Sequence, residues 1–73
     1  MTPAEFEAIR VSLGLSHTRI AKLLGTQQRT TRKWSAGEQD VQRSAAMFLR
    51  YLHQTGESGR RAFTVLGLKW GEG

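Results

Sequence analysis

The sequence predicts an all-α fold, a compact set of four to five short helices, and three observations predict it. Apolar residues recur at three- and four-residue spacings over most of the chain. Capping residues precede those segments and glycines follow them. Seventy-three residues make one small domain, and a chain of that size buries only about 60% of its extended surface, so the core must be small and the helices economical.

Each element follows from its local chemistry. Thr2-Pro3-Ala4-Glu5 reads as an N-cap, an N1 proline and an N3 glutamate able to return a bond to the cap. Phe6, Ile9 and Leu13 then share one face of helix 1, and Gly14 ends it. Ser16 caps helix 2, whose inward positions are Ile20, Ala21, Leu23 and Leu24, and Gly25 stops it after two turns. Helix 3 runs from Gln27 or Gln28 to Ser35, and Gly37 closes it. A polar connection over Glu38 to Gln42 leads into helix 4, with Ala45, Phe48, Leu49 and Leu52 along its buried stripe. After the loop Thr55 to Gly59, Ser58 is the expected cap of a short helix through Phe63 that ends near Gly67. Residues 1–54 hold the first four helices, and 55–73 form a C-terminal tail.

Composition narrows the function. The net charge is +5, with a sequence pI near 10.8, and the chain is acid-free from Ala8 to Gly37 while carrying Arg10, Arg19, Lys22, Arg29, Arg32 and Lys33. One charge sign concentrated on adjacent short helices attracts a polyanion, and each phosphate neutralised releases condensed counterion. The absence of cysteine removes any disulfide framework or thiolate metal site and suits a cytoplasmic setting. No cofactor is expected. The longest apolar run, Ala45 to Leu49, is far short of the roughly 20 residues that span a bilayer, so no membrane partner is expected. Glu5 and Glu7 suit a helix N-terminus, and Asp40, His53 and Ser44 have no catalytic spacing, so the chain is not expected to be an enzyme.

Two helices joined by a tight turn are rigid only if certain positions obey steric rules. Ala21 is small where helix 2 must cross helix 3, and Gly25 supplies positive φ four residues later. Ile20, Leu24, Thr31 and Trp34 face inward. On the outside, 28 and 32, like 29 and 33, are one turn apart, so Gln28, Arg29, Arg32 and Lys33 project together. A glutamine amide can pair bidentately with adenine and an arginine with guanine.

The stretch Leu13-Gly14-Leu15-Ser16, through Gly25-Thr26-Gln27-Gln28, to Trp34-Ser35-Ala36-Gly37 resembles the helix-turn-helix of Cro and phage-repressor type regulators, with a lambda-repressor-like fold. The similarity spans roughly residues 4–53. It implies that the second helix of the unit enters the major groove while the first crosses the backbone. By that resemblance Gln28 reads bases, and Arg29, Arg32 and Lys33 match other groove-facing positions. Ser16 and His17, at the start of helix 2, are expected at the DNA backbone, where free N–H groups favour an anion. Arg10, Gln27, Gln39 and Arg43 join them on family grounds. In the family the residue matching Arg10 pairs with an acid near the end of helix 3, a place held here by Ser35. Thr26 and Thr31 stand where the family usually has valine or isoleucine.

A recognition unit this small is expected to act as a homodimer, two copies about 34 Å apart reading an inverted repeat. Met47, Tyr51, Phe63, Leu66 and Trp70 are the expected dimer contacts. The resulting expectation is a sequence-specific repressor of double-stranded DNA, autoregulatory, of the size of small phage or mobile-element regulators such as those encoded beside anti-CRISPR genes. The alternative is an antitoxin-type interaction module that also binds DNA and carries a protein partner on its apolar tail.

Overall fold

The computed structural model describes residues 1–71, which contain five α-helices and no strand: α1 (Pro3–Ser12), α2 (His17–Leu24), α3 (Gln28–Ala36), α4 (Arg43–Thr55) and α5 (Gly59–Val65). Three helices start on side-chain caps. The hydroxyls of Thr2, Ser16 and Ser58 accept from the backbone N–H of Glu5, Arg19 and Arg61, each at 3.1 Å. Such a cap is worth about 1 kcal/mol to its helix. Gln27 and Gln42 provide no side-chain cap for α3 and α4. The start of α3 is instead fixed from behind, where Thr26 N–H bonds the Ala21 carbonyl at 2.9 Å.

Glu5 keeps the Thr2 backbone N–H among its partners, as its spacing suggested, but its main partner lies on another helix. Its carboxylate takes two bonds from Arg50 of α4, at 3.0 and 3.1 Å. A bidentate guanidinium is a stronger partner than a single amide, and it ties α1 to α4.

The core is one cluster to which every helix contributes. Phe6, Ile9 and Leu13 come from α1 and its end, Leu15 from the next turn, Ile20 and Leu23 from α2, and Trp34 from α3. Ala45, Leu49 and Leu52 of α4 and Ala62 and Phe63 of α5 complete it. Leu24 and Phe48, expected on the buried faces, are half-buried at the margin.

Phe63 requires a correction. Expected at a dimer contact, it is fully enclosed by its own chain. The cause is the start of α5, where Gly59 N–H bonds the Leu13 carbonyl at 2.9 Å. A Cβ at Gly59 would fall 2.4 Å from Leu15 Cδ2 and 2.7 Å from Leu13 O. That close approach seats α5 on the turn between α1 and α2 and drives Phe63 inward. Trp70, also expected at the dimer contact, is half-buried and packs edge-on against Phe63 with centroids 5.1 Å apart. Among the described residues, no helix is long and apolar enough to cross a membrane.

Candidate nucleic-acid interface

The site begins with the way α2 holds α3. Ala21 is buried at their crossing, and Gly25 adopts φ 69° and ψ 31°, a left-handed turn that a side chain would strain. Thr31 is fully buried. Its hydroxyl donates to the Gln28 carbonyl at 2.8 Å and lies 3.3 Å from the His17 carbonyl, across the gap to α2. A valine there, as in the resembling family, would fill the space without that bond. Trp34 is only 2% exposed and stands edge-on to Phe6, 5.6 Å between centroids. The inner face of α3 is therefore locked on two sides.

With its inner face locked, α3 must turn the remaining side chains outward. Gln28, Arg29, Arg32 and Lys33 line one open depression that Ala36 and Glu38 extend. Gln28 is half-buried and the three cations are exposed. Arg29 donates to Gln27 Oε1 at 3.3 Å, which steadies it without neutralising it. Among the described residues none of the three cations forms an ion pair; the acids that do, Glu5 and Glu7, engage Arg50, Arg10 and His17. Among the described residues Glu38 is the carboxylate that borders the depression.

The flanking residues expected at the DNA backbone divide. Ser16 caps α2, while Gln27, Gln39 and Arg43 are exposed. Arg10 departs from expectation. By the resemblance it was expected at the DNA backbone, and with Ser35 in place of the family's acid it was expected to be either freer for DNA or less well held. Instead it donates to Glu7, one turn back on its own helix, and to the Leu15 carbonyl at 2.8 Å, with its side chain 19% exposed. Its geometry is that of a brace for the turn between α1 and α2.

His17 completes this cluster, with Nε2 3.6 Å from Glu7 Oε1 and Nδ1 buried without a partner. Burial holds its pKa below the usual 6.5, Arg10 and Arg32 push the same way, and Glu7 opposes them. The imidazole is thus biased toward its neutral form beside the N-terminus of α2. For Glu7, partial burial favours the protonated acid, but the bond from Arg10 and the nearby positive charge prevail and hold its pKa below 4.5.

One feature escaped the sequence. Arg19, read there only as a diffuse charge, turns to the C-terminal segment, stacks on Trp70 and donates to the Gly71 carbonyl. On the far side, α4 and α5 leave an apolar groove lined by Phe48, Tyr51, Leu52, Ala62, Val65 and Leu66, with Glu57 at its edge. Met47, Tyr51 and Leu66, three of the expected dimer contacts, are 61%, 63% and 53% exposed beside it or in it. Among the described residues, no group of three or more His, Asp or Glu is placed to hold a metal ion. No family model, curated protein or solved structure matches this chain, so the chemistry of its own side chains must indicate what it does.

Proposed function

We propose that this chain is a sequence-specific DNA-binding protein that presents the outer face of α3 to the major groove. It acts as a homodimeric, autoregulatory repressor at an inverted repeat. One observation carries the proposal: Gln28 and three cations that form no ion pair among the described residues share one depression on a helix whose opposite face is locked in the core. Gln28 and Arg29 read base edges, each bidentate contact worth about 1 to 3 kcal/mol of discrimination. Arg32 and Lys33 divide between bases and phosphate. Ser16, His17, Gln27, Gln39 and Arg43 border the backbone.

The two copies meet through α4 and the outer edge of α5, with Met47, Tyr51 and Leu66 in contact. Exposed apolar side chains grouped around a groove favour burial against protein. The same groove supports a second function, an antitoxin-type module whose α4–α5 face takes a different protein. Sedimentation separates them: a stable dimer of the isolated chain supports the homodimer, and a monomer that dimerises at no accessible concentration favours the module.

Selection from a random duplex pool tests the central claim. It should enrich an inverted repeat with half-sites one helical turn apart. If a dimer contacts about 6 to 10 phosphates, log affinity should fall with log salt at a slope of roughly −5 to −9. Gln28→Ala and Arg29→Ala should each relax preference at one base position per half-site. Failure to enrich any motif, with a flat salt response, overturns the proposal.

A further inference from the structure

Beyond α5 the chain folds back across α2. Leu68 N–H bonds the Phe63 carbonyl at 2.8 Å, which closes the end of α5 and turns the following residues toward the first half of α2. Trp70 rests on the buried Phe63 ring. The Arg19 guanidinium lies over the Trp70 ring, 3.9 Å from its centroid, and Arg60 of α5 approaches the same ring at 5.7 Å. The negative face of an indole attracts guanidinium groups, so one ring gathers two cations that would otherwise repel. Among the described residues neither arginine forms an ion pair.

The two edges of α5 therefore differ in chemistry. Val65 and Leu66 face α4 and its apolar groove, while Arg60 faces Trp70 and α2. The basic edge shares the Trp70 ring with Arg19, three residues past the Ser16 cap of α2. A guanidinium has five N–H donors. Arg19 spends one, from Nη2, on Gly71, which fixes the group's orientation; its Nε is buried, so the remaining Nη N–H groups are the ones an anion could meet.

We propose that Arg19 and Arg60, gathered by Trp70, form a second phosphate-binding site that grips the DNA backbone outside the recognition unit. A backbone phosphate at this edge neutralises positive charge that, among the described residues, no carboxylate pairs. Trp70 is a positioning residue for both. The site rests on the duplex-binding function proposed above and extends it to a part of the chain outside the resemblance, giving the C-terminal segment a part in affinity without a part in base choice.

The test compares the salt dependence of affinity for a selected duplex and a scrambled duplex of equal length. Arg60 is exposed and, among the described residues, its side chain makes no hydrogen bond, so Arg60→Ala should fold normally and is the decisive variant. Arg60→Ala and Arg19→Ala should each reduce the steepness of log affinity against log salt by about 0.9 per chain, equally on both duplexes, with base preference unchanged. Trp70→Ala should approach the double arginine variant, Trp70→Phe should restore most of the loss, and Trp70→Leu, which keeps apolar packing on Phe63 without an aromatic face, should restore little of it. A wild-type slope in Arg60→Ala, in a chain that binds its selected duplex, overturns this site and leaves the α3 interface standing. If wild type binds no duplex, both proposals fall.

Discussion

The two faces of α3 share nine residues and divide their work completely. Inward, Thr31 and Trp34 are enclosed and bonded or stacked against α1 and α2. Outward, Arg29, Arg32 and Lys33 are exposed beside a half-buried Gln28. The inner face should thus control stability and the outer face binding, with little crossover, because exposed side chains that contact nothing contribute little to folding.

The largest test of that division is Trp34→Ala. Deleting a buried indole leaves a cavity between α1, α3 and α4, and the loss should be about 3 to 5 kcal/mol in denaturant unfolding. Unchanged stability with lost DNA binding would place the ring on the wrong face. Thr31→Val is milder: it keeps the shape, removes the donor to the Gln28 carbonyl, and should cost about 1 kcal/mol. Its diagnostic value lies in binding, since a looser α2–α3 angle should weaken the selected duplex more than a scrambled one.

On the outer face, Arg29→Ala and Arg32→Ala should each change unfolding free energy by no more than about 0.5 kcal/mol while weakening duplex binding. A larger stability loss would mean that the depression is held by contacts within the protein. The smallest effect concerns pH. His17 has a native pKa below 6.5, so the folded chain binds that proton less readily than the unfolded chain. Its contribution to stability is full above 6.5 and declines as pH falls from there. Glu7, also lowered, contributes fully above 4.5 and is lost only as pH falls through its native value. Melting temperature should therefore fall slightly between pH 6.5 and 5, and His17→Gln should flatten that portion alone.

Much of this was legible in the chain because it depends on neighbours in sequence. Thr2, Ser16 and Ser58 cap where a hydroxyl stands before an apolar period, and Gly25 and Gly37 end α2 and α3 in left-handed turns. The outward grouping of 28, 29, 32 and 33 is a matter of helical pitch alone. What sequence hid depends on distant partners. The Glu7–Arg10 pair lies at helical spacing, but the Leu15 carbonyl that completes the Arg10 brace is set by the turn after α1. Phe63 looked like surplus apolar surface because nothing local announces that Gly59 can settle against Leu15. The meeting of Arg19 with Trp70 joins α2 to the C-terminal end of the described chain, and no periodicity connects them.

Gly25 and Gly37 stand just beyond the two ends of the path into and out of α3, both at positive φ. Any other residue there strains the backbone, so point substitution cannot easily lengthen α2 or run α3 onward. Evolutionary drift is thereby channelled. A lineage can exchange the outward letters of α3 freely while its frame stays put, and a combinatorial library confined to positions 28, 29, 32 and 33 should remain almost uniformly foldable.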